Sequence, residues 1–264
     1  MANTRYENSV IQNTLDELLI SKLGMSQFLT VDTSLAESAG MTKNVHVYSA
    51  TGTGEDVAEG AGNKNSLTMS YTNKPYKVGT YQARFVYTDE DAMVDPFLVD
   101  SGIANLAKDI VNDYNKKAVA EYAKATKKVE VNAFNFDAFA DALATLNLED
   151  SEEAGYFALV SVTDKAELRK NLKDTLQYVE ANARTGYVGT ICGVPVYTSR
   201  AVTAGTIYVA NKEAVTAFMK KNTEVAQERN ENTRTNTVYG RNVKVIALTD
   251  ADKVCKIVKK AVAA

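Results

Sequence analysis

A glycine-rich stretch sets the first limit on how this chain folds. Val45-His46-Val47-Tyr48 alternates like the opening of a strand and runs into residues 51–62, where four of twelve are glycine. Glycine costs backbone entropy on ordering and brings no side chain to pack, so this stretch holds no regular element. A return strand is expected from about Leu67 to Tyr87, with Tyr76, Val78 and Thr80 on one face and Lys77, Gly79 and Tyr81 on the other. Two strands joined by a long loop and carrying few large aliphatics cannot build a core, because a two-stranded ribbon alone is marginal in water. The ribbon must rest on something else.

Around it, the hydrophobic spacing predicts regular elements. Ile11, Leu15, Leu18, Leu19 and Leu23 give a short amphipathic helix over 5–23, and the small polar residues of 30–44 read as an extended arm. Thr88 followed by Asp91 is a capping-box helix start, ended by Asp95-Pro96. The longest helix is expected at 101–126, with Ile103, Leu106, Ala107, Ile110, Val111, Tyr114, Ala118 and Tyr122 in one stripe. At 1.5 Å per residue it spans roughly 39 Å.

Shorter elements follow. Asn135 caps a helix through Leu146, Tyr156–Val162 is a strand, and Asp164 with Glu167 opens a helix through about Leu176. Strands are expected at 185–191 and 194–199 with Gly193 between them, and at 206–210. Asn211 caps a predicted helix burying Val215, Phe218 and Met219, before strands at 224–229 and 235–248. The mixture is α+β, with its strands out of βαβ order.

Composition narrows the chemistry. The 264 residues carry 30 basic and 33 acidic side chains, a net charge of −3, so bulk charge does not grip nucleic acid. No apolar run approaches the roughly 18 residues that span a bilayer, and Met1-Ala2-Asn3-Thr4 opens no signal peptide. Cys192 and Cys255 sit in apolar surroundings and read as reduced, buried thiols. His46 is the one histidine, too few for most metal sites or catalytic triads, and no Gly-x-Ser-x-Gly elbow occurs. The 52–62 loop fails the spacing of a phosphate-binding loop and of a dinucleotide fingerprint, and Glu55, Asp56 and Glu59 repel phosphate. These acids and Asp89-Glu90-Asp91 also lack the spacing of a calcium loop. Arg184, Arg200, Arg229, Arg234 and Arg241 are scattered rather than massed. No catalytic residue, cofactor or metal is expected.

The order of parts nevertheless resembles a known family. Gly54-Glu55-Asp56-Val57-Ala58-Glu59-Gly60-Ala61, Lys77-Val78-Gly79, Phe85-Val86-Tyr87-Thr88-Asp89-Glu90, Gly193-Val194-Pro195-Val196, Gly205 through Ala210, and Thr223-Glu224-Val225 with Glu228-Arg229 are similar to the wording of tailed-bacteriophage major capsid proteins of the Hong Kong 97-type fold. The resemblance spans about Leu15 to Val258. It implies an N-terminal arm (1–44) and an extended β-hairpin loop (45–87). It also implies a peripheral domain with a spine helix (88–131, completed by 222–248) and an axial domain (132–221, completed by 249–264).

The implied function is a shell of hexamers and pentamers enclosing packaged double-stranded DNA without sequence-specific binding. A separate scaffolding protein and a portal would be partners, and the shell would be assembled in the host cytoplasm as part of the virion, without a membrane. Glu55, Asp56, Glu59, Lys64, Lys74, Lys77 and Arg84 are the candidate intersubunit contacts. Some members cross-link a loop lysine to a neighbour's asparagine; Lys64, Lys74 and Lys77 have no matched asparagine or glutamate, so no cross-link is expected. An encapsulin-like nanocompartment shell, kept open by the 5–23 helix, and an unrelated small α+β enzyme are the alternatives.

Overall fold

The computed structural model describes residues 11–15, 17–18, 24–37, 40–95, 97–148, 155–171 and 187–260. Leu19, Leu23, Pro96, Arg184, the end of the helix expected at 164–176 and the start of the strand expected at 185 lie outside them.

Among the described residues, three sheets carry the fold. A four-stranded sheet has the order β1 (Thr30–Asp32), β10 (Val215–Asn230), β11 (Thr235–Leu248), β4 (Gly79–Thr88). A six-stranded sheet has the order β5 (Lys127–Val131), β12 (Val254–Lys259), β9 (Thr206–Asn211), β6 (Tyr156–Ser161), β8 (Val194–Ser199), β7 (Tyr187–Ile191). The third is the ribbon of β2 (Thr42–Thr51) and β3 (Thr68–Lys77).

One helix links the two larger sheets. α3 (Leu98–Tyr122) buries the whole expected stripe, while Lys108, Asp109, Asn112, Lys116 and Lys117 face away. Its first half packs Val99, Ile103, Leu106 and Ile110 with Val238, Phe85 and Tyr87 of the four-stranded sheet. Its second half puts Tyr114, Ala118 and Tyr122 with Phe28, Leu29, Phe157, Leu159, Val215 and Leu248, so one core cluster draws on both sheets. Tyr122 is fully buried, and its hydroxyl donates to the Phe28 carbonyl at 2.5 Å. The six-stranded sheet is covered by α4 (Phe136–Leu146), whose Ala138, Phe139, Ala142 and Leu143 meet Val160, Ile207, Val209 and Ile257. α5 (Asp164–Asn171) adds Leu168 to the same cluster.

Local sequence accounts for the element ends. Asn135 Oδ1 accepts from the Ala138 N–H at 3.0 Å and starts α4. Thr88 Oγ1 accepts from the Asp91 N–H at 3.1 Å and starts α2 (Asp89–Val94). Between β7 and β8, Cys192 at φ 50° and Gly193 at φ 78° make the two-residue turn whose twist suits a hairpin. The helical residues 11–15 and 17–18, α1, bury Ile11 and Leu15 under α3. Gln12 then clips β10, donating to the Thr223 carbonyl at 2.6 Å and accepting from the Val225 N–H at 2.8 Å.

Several expectations are corrected. The segment 67–87 is not one strand: the chain changes partner at Val78, which is 2% exposed, so β3 pairs with β2 and β4 pairs with β11. The helix expected after Asn211 is only a 3-10 turn, Lys212–Ala214, and Val215, Phe218 and Met219 belong to β10. Pairing on both sides, with β1 and β11, overrides the helical spacing there. Segments 224–229 and 215–219 are therefore one strand. β5 and β12, left unassigned by the sequence, pair in parallel in the six-stranded sheet. Residues 127–131 thus share a sheet with the 132–211 strands, and residues 215–221 share one with β4.

Candidate intersubunit surfaces

Among the described residues, the ribbon is held at its base. Val45 and Val78 are buried with Leu35, Phe218 and Ala247, and Tyr76 packs against this cluster. Lys43 Nζ lies 4.8 Å from the centroid of the Phe218 ring and 3.8 Å from the Asp32 carboxylate. Beyond the base the picture reverses. Every residue from 51 to 75 is exposed, including Leu67 and Met69 at 60% and Tyr71 at 67%. The ten paired residues of each strand reach about 34 Å. An uncovered ribbon of this length, with Leu67, Met69 and Tyr71 exposed on or beside a largely polar strand pair, is a candidate surface for another chain.

The loop at its tip has its own order. Glu55 Oε1 accepts from the Asn65 N–H at 2.9 Å and also from the Lys64 N–H, pinning one side of the loop to the other. The Ala61 N–H donates to the Ala58 carbonyl at 3.0 Å, closing a turn with Gly60 at φ 80°. A side chain other than glycine is strained in that backbone state. Asp56 and Glu59 project from this loop, exposed and without an ion pair among the described residues.

The seven candidate contacts therefore separate into three places. Glu55, Asp56, Glu59 and Lys64 cluster at the tip, with Glu55 used to shape the loop. Lys74 and Lys77 lie on β3 opposite Val45 and Thr42, nearer the base. Arg84 is not on the ribbon: it is exposed on β4, opposite Tyr239 of β11, on the face turned from α3.

Two further surfaces escaped the sequence reading. Met93, Val94 and Phe97 are 74%, 85% and 74% exposed where α2 meets α3. The signal was present: apolar residues close a six-residue helix that offers no core face. This corner is braced by Asp89, which accepts from Arg229 Nη2 at 2.9 Å and Asn236 Nδ2 at 2.7 Å. Arg234 and Glu90 add an exposed pair at 2.9 Å. The second is a groove of about 350 Å³ between α3, the 3-10 turn Met25–Phe28 and the end of β8. Met25, Phe28 and Tyr197 give it apolar walls, and Lys116 and Arg200 flank it.

The titratable groups of the body behave as packing rather than as a reactive centre. Burial pushes the Cys255 thiol up to about 11 and the Tyr114 hydroxyl up to about 12. Burial first, and then the Asp109 carboxylate that accepts its hydrogen bond at 2.5 Å, push Tyr81 up to about 12. Lys244 is held down at about 8 by burial, although Asp113 lies 3.6 Å away. Among the described residues the two cysteines are thiols rather than a disulfide; Cys255 is buried as expected, whereas Cys192, in the β7–β8 turn, is only half-buried. His46 is exposed and makes an edge contact with Tyr71, ring centroids 5.5 Å apart. Among the described residues, no group of three or more His, Cys, Asp or Glu side chains is placed to hold a metal, and no helix is long and apolar enough to cross a membrane.

A long helix backed on a sheet with a projecting ribbon, joined to a second α+β layer, is the Hong Kong 97-type capsid architecture. The likeness to solved structures is extensive at low identity. The capsid of the native GTA particle matches with a TM-score of 0.72 at 13% identity, covering 91% of each chain. The mature capsid of bacteriophage PhiM1 matches at 0.70 and 11%, covering 90% of this chain and 87% of that one. A virus-like particle from Pyrococcus furiosus matches at 0.65 and 9%, covering 94% and 98%. No curated protein sequence matches the chain.

The family described as Phage capsid protein matches residues 71–257, and the chain belongs to that family. It is a structural shell protein of a phage virion, not an enzyme. The family match favours the phage capsid over the nanocompartment reading.

Proposed function

We propose that copies of this chain assemble through the ribbon into hexamers and pentamers, and that these tile an icosahedral shell around packaged double-stranded DNA. The observation that carries the reading is the uncovered ribbon. Full burial of a side chain the size of Leu67 or Met69 contributes about 1.5–3 kcal/mol, and a heterologous contact of this kind closes into rings. Glu55, Asp56, Glu59, Lys64, Lys74, Lys77 and Arg84 are the contact residues of this reading. The four-stranded sheet with α3 serves as the peripheral part, the six-stranded sheet with α4 and α5 as the axial part, and residues 1–44 as the arm. A net charge of −3 suits a wall that must not hold DNA tightly. A separate scaffolding protein and a portal act with it, and assembly takes place in the host cytoplasm.

Negative-stain microscopy of the expressed chain, beside a variant with residues 52–67 replaced by a short turn, tests this. The intact chain forms capsomers or shells, and the shortened one stays folded but unassembled. A stable monomer at high concentration from the intact chain, or shells from the shortened one, contradicts the reading.

A further inference from the structure

We infer that the groove between α3, the Met25–Phe28 turn and the end of β8 binds the phosphodiester backbone of double-stranded DNA without reading its sequence. This site deepens the reading of the chain as a wall around packaged DNA and depends on it. Two cations from separate elements line the groove, Lys116 of α3 and Arg200 just after β8, and both are exposed. The described lining residues include no carboxylate, and neither cation has an ion pair among the described residues. Their surroundings differ from those of Lys117, the next residue of α3, which pairs with Asp113 at 2.9 Å. Two like charges on one groove repel each other, and an anion seated between them removes that cost.

The neutral groups within reach suit the same ligand. Gln27 and Asn112 are exposed at the rim and carry amide N–H donors. Ser199 Oγ accepts from the Ala201 N–H at 3.2 Å, which leaves its own proton to donate. Met25 and Phe28, 2% and 7% exposed, belong to the core, so a ligand meets the polar rim above them. Arg, Lys, Ser, Asn and Gln side chains are the usual partners of DNA phosphates, and such contacts position a duplex without specifying its sequence. A strand presents one phosphate after another, so a single backbone reaches both cations. A contact through two cations is weak and released by salt, in keeping with a chain whose net charge is −3.

Fluorescence anisotropy of two labelled duplexes of unrelated sequence tests this, with the intact chain kept below the concentration that gives particles in negative stain. The groove variant carries Lys116→Glu with Arg200→Glu. A control carries Lys170→Glu with Lys260→Glu, an equal change in net charge; all four positions are exposed, and melting curves should match the intact chain. The intact chain is expected to bind both duplexes alike, with a log–log salt slope of about −1.8 for two phosphate contacts, or about 12-fold weaker binding after a fourfold rise in salt. The groove variant should lose at least about tenfold in affinity at the lower salt, and the control should not. Equal loss in both variants, no loss in the groove variant, or a preference for one duplex overturns the inference. Inorganic phosphate that displaces the duplex at equal phosphate concentration overturns it in favour of a small-anion site.

A second measurement locates the contact. Acetylation of the intact chain by an N-hydroxysuccinimide ester, read lysine by lysine in a mass spectrometer, is expected to slow at Lys116 when duplex is present and to stay unchanged at Lys170 and Lys260. Unchanged acetylation of Lys116, or equal protection of all three, overturns the inference. If the intact chain forms no shells, the capsid assembly reading fails, while the groove's affinity and protection are still measured. Shells without groove-dependent DNA binding defeat the inference alone.

Discussion

Lys244→Met should make the protein more stable at neutral pH. The Lys244 side chain is 1% exposed, and burial holds its ammonium at about 8 instead of the ordinary 10.5. Asp113, at 3.6 Å, raises the value but does not outweigh burial, and Lys117 works against it. That depression corresponds to about 3 kcal/mol against the charged form. The ammonium also lies 4.7 Å from the centroid of the Tyr114 ring, which returns about 1 kcal/mol. A methionine of similar length removes both contributions and fills the same space, for a net gain of about 2 kcal/mol at pH 7.

The sign of the pH dependence follows from linkage. Between about pH 8 and 10.5 the unfolded chain binds the proton that folded Lys244 has released, so stability rises with pH through that window. Below about 8 the full cost is present, and above 10.5 it is gone. Urea unfolding of both proteins at pH 7 and pH 10 reads this out. The variant should gain about 2 kcal/mol at pH 7, about 4–8 °C in Tm for a chain of this size, and most of the gain should vanish at pH 10. A less stable variant at pH 7, or a difference that does not change with pH, would refute the reasoning.

Three other outcomes are expected. Gly102→Ala should destabilise by about 1 kcal/mol in denaturant titration, because the new Cβ would lie 2.5–2.8 Å from three atoms of the Phe85 ring; overpacking costs about 1–3 kcal/mol, more than the helix propensity gain of about 1. A stabilised protein would show that the ring moves freely. Asn135→Ala should cost about 1 kcal/mol by removing the α4 cap, and an unchanged melting curve would contradict the cap's role. In a thiol titration at pH 8, Cys255 should stay unreactive until urea unfolds the chain, since its thiol is buried and pushed up to about 11; modification at the rate of a free thiol would contradict its burial.

Where the sequence was legible, one physical force acted alone. The α3 stripe is set by helical spacing against a single core, and every expected stripe residue is buried. β8 and β11 match their expected spans because β-branched alternation and turns bound them on both sides. The start of β10 was not legible, since Val215, Phe218 and Met219 satisfy a helical period, while Val215, Ala217 and Met219 satisfy a strand's alternation. Pairing with β1 and β11 decides it, and those partners are distant in sequence. β5 and β12 were missed for the same reason: each is short, and the two pair in parallel from opposite ends of the six-stranded unit. The ribbon tip was legible because glycine and the missing aliphatics exclude a core. The groove was not, because Lys116 and Arg200 are neighbours only after α3 and β8 fold together.

The central claim is that the ribbon belongs to a neighbouring subunit's surface rather than to its own body. Cryo-electron microscopy of assembled particles measures this most directly, by tracing β2, the 52–67 loop and β3 from one subunit. The account predicts shells in which this density leaves its own subunit and lies against the next, with Leu67, Met69 and Tyr71 covered. Particles whose ribbon density stands free in solvent or folds back onto its own subunit would contradict it.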